Sequence, residues 1–190
     1  DLGDGSGEEV VEFGLGHVGP RGYGNAHGLG IRGVAKALRY ALATGSGRRI
    51  MKLTHTVEIE ATPAVVWAAH EDIERWPERL ESMERVQRLD EGELGVGSRA
   101  KIKQPWLPAL RYDLTELEPE RRVTWENHGL GLHIVATHAL VATATGGTEL
   151  TLSLEMSGLP ARLGWPLMRG LARKFQRQEA AGFKAYCEAR

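Results

Sequence analysis

Between Met51 and Ile59 apolar and polar residues alternate, with Leu53, His55, Val57 and Ile59 on one parity and Lys52, Thr54, Thr56 and Glu58 on the other. A period of two predicts a strand buried on one face. Thr62-Pro63 then supplies an N-cap followed by proline at the first helical position, and Val65, Val66, Trp67, Ala69 and Ile73 follow at helical spacing. This predicts two short helices reaching about Leu80. Six further strands are predicted at Met83 to Leu89, Ser98 to Gln104, Leu110 to Leu117, Arg122 to Asn127, Leu132 to Thr143 and Glu149 to Met156. The connections between them are short and rich in Gly, Pro and Asp, which predicts antiparallel hairpins. After Gly158 the pattern turns helical. Pro160 and Pro166 can each begin a helical segment, and Leu167, Leu171, Phe175, Gln178, Gly182 and Tyr186 form a stripe. The last helix would span about 35 Å, enough to cross a whole sheet.

The first 50 residues differ in kind. They hold 13 of the 24 glycines and none of the five tryptophans, so the capacity to build a core lies after Met51. Residues 1–50 read as a glycine-rich leader, expected to be flexible or to be upstream sequence ahead of a native start at Met51. One helix-like stretch, Ile31 to Leu42, interrupts it. Two G-x-G-x-x-G matches, Gly14-Gly16-Gly19 and Gly28-Gly30-Gly33, lack the strand, loop and helix that a dinucleotide loop requires. No cofactor is expected on this evidence.

Net charge narrows the partners further. A formal charge of -1 offers no broad attraction for nucleic acid or anionic lipid. No run is long and apolar enough for stable membrane insertion. A single cysteine, Cys187, rules out an intrachain disulfide and fits a reducing, cytoplasmic setting. The oligomeric state is not encoded in any of these features.

Strand, short helices, six strands and a long helix is the order of the helix-grip fold. The run Val57-Glu58-Ile59-Glu60-Ala61-Thr62-Pro63-Ala64-Val65-Val66-Trp67 resembles the polyketide cyclase/dehydrase and lipid-transport superfamily, START-like or SRPBCC. So do Trp76-Pro77, Gly95-Val96-Gly97-Ser98 and Leu114-Thr115-Glu116-Leu117-Glu118-Pro119. Gln104-Pro105, Ala136-Thr137-His138 and Glu179-Ala180-Ala181-Gly182 are similar to one bacterial branch of it. The resemblance covers nearly all of 51–190. It implies an α+β domain with a curved seven-stranded antiparallel sheet wrapped over the C-terminal helix, and a cavity for a small apolar ligand, lipid-like or polyketide-like.

Alternation then sorts the side chains by face. The inward set includes His55, Tyr112, Leu114, Trp125, Asn127, Ile134, Ala136, His138, Leu152 and Leu154. Counting across the hairpins places Tyr112, Asn127 and Ile134 in one layer and Leu114, Trp125 and Ala136 in the next, with Tyr112 and Asn127 as potential hydrogen-bonded neighbours. Ligand contacts are expected from Trp67, Tyr112, Trp125, Asn127, His138, Leu154, Leu171 and Phe175. His138 reads either as a core histidine satisfied by Tyr112, a carbonyl or water, or as a ligand-contacting group. A metal site on His55 and His138 would need a third converging ligand, and none is evident, so no metal is expected.

Binding or transfer of an apolar molecule is the first functional reading. The alternative is a cyclase or dehydratase in which His138 exchanges a proton while Tyr112 and Asn127 hold carbonyl oxygens, with Glu116 a further acid-base candidate. No nucleophile elbow, phosphate loop or H-E-x-x-H is present. The loop Gln104 to Pro108 places Trp106 and Leu107 between prolines, which suggests a lid, a membrane contact or packing on a neighbour.

Overall fold

Strand β1 (Met51–Ile59) leads through Thr62 into α1 (Pro63–Glu71), a short 3-10 turn (Ile73–Arg75) and α2 (Trp76–Arg79). These elements come from a computed structural model that describes residues 50–190; the leader, its helix-like stretch and both glycine-loop matches lie outside the described residues. Pro63 takes the first helical position, where its missing N–H costs nothing, and the Thr62 carbonyl accepts from Val65 and Val66.

Six strands follow: β2 (Arg85–Arg88), β3 (Arg99–Lys103), β4 (Leu110–Glu118), β5 (Arg122–Gly129), β6 (Leu132–Ala142) and β7 (Thr148–Ser157). They pair antiparallel with β1 in the order β1-β7-β6-β5-β4-β3-β2. The helix α3 (Leu159–Glu188) packs on the inner face of this sheet, giving the α+β helix-grip architecture. One inward row reads Leu53, Leu154, Ala136, Trp125, Leu114 across five strands. The next reads His55, Leu152, His138, Val123, Leu117.

A β-bulge in β4 sits between Leu114 and Glu116. Leu114 pairs with Trp125 and Glu116 with Thr124, so Thr115 is an extra residue and both Thr115 and Glu116 turn outward. Glu116 therefore leaves the set of inward acid-base candidates. Its carboxylate accepts from Thr124 Oγ1 at 2.8 Å on the outer face.

Helix α3 departs from the sequence expectation in two ways. It is one continuous element of 30 residues, about 45 Å long, with Pro166 inside it. Pro166 forgoes one helical hydrogen bond, and the helix continues on both sides of it. Its buried stripe is Phe175, Gln176, Glu179, Ala180, Phe183 and Cys187, whereas Leu167 is exposed. The buried stripe is rotated from the expected one and includes two polar positions. Gln176 earns its place by donating to the Leu53 and Leu152 carbonyls at 3.3 Å each, tying α3 to β1 and β7.

Two glycines set how closely α3 approaches its neighbours. A Cβ on Gly182 would stand 2.5 Å from the Arg79 carbonyl oxygen, so glycine there lets the end of α2 rest against the helix. Gly158, at φ 105°, precedes α3, and a Cβ there would overlap the Gly131 carbonyl at the β5–β6 hairpin tip.

Candidate functional site

Between α3 and the inner face of the sheet lies an apolar cavity of about 150 Å³. Strands β3 to β7 contribute Ile102, Tyr112, Trp125, Ala136, His138 and Leu154, while α3 contributes Leu171, Phe175 and Glu179. The small side chain of Ala136 opens the room that Trp125 and Phe175 bound. Exposure grows from His138 and Glu179, both buried, toward Leu107, Pro108 and Met168, which mark the mouth. The loop from Gln104 to Pro108 crosses there: Leu107 and Pro108 line the cavity, and Lys174 of α3 sits 5.0 Å from the centre of the Trp106 ring. Trp106 itself is exposed and held at φ 62°.

The inner end is polar. His138 Nε2 and Glu179 Oε1 stand 3.4 Å apart, away from water. Burial pushes the Glu179 carboxyl up to about 8. Burial also holds His138 well below the usual imidazole range, with nearby His70 adding to the effect. Burial thus favours the neutral form of both groups. Tyr112, pushed up to about 12 by burial and by the Glu179 carboxylate, stays a neutral phenol.

An aromatic cage supports this pair. His70 on α1 gives its Nδ1 to the Val66 carbonyl at 2.8 Å and stacks on Phe183 at 4.0 Å. Burial lowers it to about 4. Trp76 stacks against His138 with ring centres 6.0 Å apart, and its indole N–H donates to the Ala69 carbonyl. Three buried polar atoms here have no partner among the described residues: His70 Nε2, His138 Nδ1 and Trp125 Nε1.

Of the residues singled out from sequence, Tyr112, Trp125, His138, Leu154, Leu171 and Phe175 line the cavity, and Trp67 and Asn127 do not. Trp67 belongs to the packed core, and Trp76 takes the cavity position instead. Asn127 does not bond Tyr112. Its amide donates to the Arg111 carbonyl at 2.7 Å, beyond Asp113–Glu126, the last backbone pair of that end of the β4–β5 ladder. His55 is half-buried on β1, one strand beyond Leu152, with Arg177 acting on it. Sequence reasoning missed Glu179 and His70. The signal available for Glu179 was its position four residues after Phe175, on the same helical face.

Among the described residues one group of ligating side chains converges, Glu126, His128 and His133, and it lies on the opposite face of the sheet from the cavity. No helix of the described residues is long and apolar enough to cross a membrane.

Residues 51–188 match the family described as polyketide cyclase/dehydrase and lipid transport. The chain belongs to this family. No curated protein matches it in sequence. Among solved structures it is similar to the Zhui aromatase/cyclase from Streptomyces sp. R1128, with a TM-score of 0.61 at 14% identity over 74% of this chain and 94% of that one. A START superfamily protein from Mycobacterium smegmatis gives 0.61 at 15%, over 75% and 99%. A norcoclaurine synthase from Thalictrum flavum gives 0.59 at 16%, over 74% and 96%. At such identities the likeness establishes the fold of this chain, and its chemistry has to come from its own residues.

Proposed function

We propose that this family member binds and carries a small apolar molecule about the size of one aromatic ring, bearing a carbonyl or hydroxyl oxygen at one end. The observation that carries the reading is an apolar cavity closed at its inner end by a buried carboxyl, Glu179, which burial keeps from charging easily. A cavity of about 150 Å³ accepts a benzene-sized guest, so a long acyl chain would have to protrude past Pro108 and Met168. A ligand oxygen reaching the inner end would find a hydrogen-bond donor in the Tyr112 hydroxyl.

A naphthalene-type fluorescent probe should bind the full chain with one ring in the cavity and the other in its mouth, and be displaced by single-ring apolar competitors. Ala136→Trp should abolish binding while circular dichroism reports an intact fold. His138→Gln should change affinity only modestly, because the amide replaces part of the hydrogen bonding. Absence of binding by the parent to any apolar probe would remove the proposal.

A second reading, an acid-base enzyme of the cyclase or dehydratase kind, draws on the same His138–Glu179 pair. A neutral acid beside a neutral base, shielded from water, is suited to moving a proton on and off a carbon next to a carbonyl. The two readings part on one measurement. Carrier function predicts that a ring-sized ketone in D2O exchanges its α-protons no faster with the protein than in buffer. Accelerated exchange that disappears in Glu179→Gln at nearly unchanged affinity would favour the enzyme.

A further inference from the structure

The outer face of β5 and β6 carries a second grouping of histidine and carboxylate that the cavity does not use. Glu126 and His128 are two residues apart on β5 and so project from the same face, and the register sets His128 directly opposite His133 on β6. His133 Nε2 stands 2.8 Å, and His128 Nε2 3.2 Å, from the same atom, Glu126 Oε2. The three ligating atoms all lie within 4.8 Å of one another.

We propose that Glu126, His128 and His133 form a binding site for one divalent transition-metal ion of the zinc class. Imidazole nitrogen and carboxylate oxygen are the donors that Zn²⁺, Ni²⁺ and Cu²⁺ select over Mg²⁺ or Ca²⁺. Metal–ligand distances of about 2.0–2.1 Å in tetrahedral geometry put donor atoms about 3.4 Å apart. The observed separations from Glu126 Oε2, 3.2 Å to His128 and 2.8 Å to His133, are shorter than that by about 0.2 and 0.6 Å, so the cluster must open slightly to admit an ion. Both histidines therefore already bring Nε2 to the same carboxylate oxygen.

The carboxylate is held for the purpose. Thr115 Oγ1 donates to Glu126 Oε1 at 3.0 Å, which leaves Oε2 to the histidines. Thr115 reaches outward because it is the extra residue of the β4 bulge. Such outer hydrogen bonds orient metal ligands and raise their affinity. One rearrangement is required. The two imidazoles are stacked, with centres 4.0 Å apart and planes 14° from parallel, and a shared ion must lie near the plane of each ring. The His128 side chain is 64% exposed, so its ring can turn without disturbing the core. The remaining coordination positions would face water. Bound there, the ion would clip β5 to β6 next to the hairpin tip that meets the start of α3 at Gly158.

Calorimetric titration of the full chain with Zn²⁺, in a buffer that does not chelate, tests the site. One ion should bind per chain, compete with Ni²⁺ and not with Mg²⁺, and raise the melting temperature by mass action. His133→Ala, His128→Ala and Glu126→Gln should each weaken binding by at least about tenfold, and Thr115→Val by less. Far-ultraviolet circular dichroism identifies any variant that fails to fold, and His128→Ala, at the most exposed of the three positions, keeps the test open. Substitution with Co²⁺ should give a visible absorption spectrum with nitrogen and oxygen ligation that His128→Ala alters. His17 and His27 in the leader supply the control, since His17→Ala with His27→Ala should leave binding unchanged. No binding by the parent, binding indifferent to His128→Ala and Glu126→Gln, or binding abolished by the leader substitutions would each overturn the proposal.

Discussion

Strand β6 turns a histidine to each face of the sheet, His138 inward against Glu179 of α3 and His133 outward against Glu126 of β5, and the two pairs behave oppositely. On the inner face His138 and Glu179 lie 3.4 Å apart without water, and burial pushes the carboxyl up to about 8. On the outer face His133 and Glu126 lie 2.8 Å apart in partial contact with solvent, and the hydrogen bond from His133 pulls the carboxyl below its ordinary range. The side-chain chemistry is identical, so the difference is one of surroundings. Removing water makes charge expensive, and burial favours the neutral form of both groups in the inner pair. The hydrated pair affords a carboxylate, and with it an attraction for cations. A protein sheet one residue thick thus separates a site suited to neutral organic molecules from one suited to ions.

The comparison can be broken most forcefully at Phe183, fully buried and stacked on His70 beside the inner pair. Phe183→Ala should cost about 3–5 kcal/mol in urea denaturation, the range for emptying a large aromatic site. His133→Ala, on the outer face, should cost less than about 1 kcal/mol, as exposed ion pairs do. Equal losses at the two positions would mean that the faces are not distinct in packing.

A smaller effect sharpens the electrical side of the contrast. Folded Glu179 keeps its proton up to about 8, whereas an unfolded carboxyl releases it near 4.5, so over that window the folded chain binds more protons and stability falls as pH rises. Folded His70 titrates near 4 against an ordinary 6.5, so over that window the folded chain binds fewer protons and stability rises with pH. His138 acts in the same sense as His70. Two rising contributions oppose one falling contribution below pH 6.5, and only the fall remains above it. Stability should therefore peak near pH 6.5 and decline by at most about 2 kcal/mol toward pH 8. Glu179→Gln should flatten the alkaline side. An unchanged decline in that variant would assign the proton to another group.

The smallest expected change is at the outer carboxylate. In the absence of metal, Glu126→Gln should alter stability by less than about 1 kcal/mol at pH 7, because the lost partners are all partly hydrated. A loss comparable to that of Phe183→Ala would make the outer cluster structural.

Most strands were legible because Leu, Val and Ile alternate with charged residues and the turns carry glycine or proline. Every predicted strand is present, with ends displaced by one or two residues. Legibility failed where polarity and burial parted company. The expected stripe on α3 runs through Leu167, Leu171, Phe175, Gln178, Gly182 and Tyr186, whereas the helix turns Gln176 and Glu179 inward. Glu116 was assigned to the cavity by counting in twos, and the extra residue at Thr115 reversed the count. Trp67 belongs to the core and Trp76 to the cavity, and hydrophobicity alone cannot say which of two tryptophans on successive short helices faces a cavity. The outer cluster was within reach. Pairing Asn127 with Ile134, which the hairpin spacing indicated, already places His128 opposite His133.

The fit of Gly158 against Gly131 has a consequence for the rotational phase of α3. Ser157 ends β7, Leu159 begins the helix, and the single residue between them has no room for a side chain. Each residue advances a helix by about 100°, so one residue inserted at that junction would turn everything downstream by that angle. Gln178 would then occupy the bearing now held by Glu179, and the cavity would exchange an acid for an amide while every strand kept its register. Whether this sheet and helix enclose a carboxyl at all is decided at a glycine some twenty residues away from it, at the far end of the cavity.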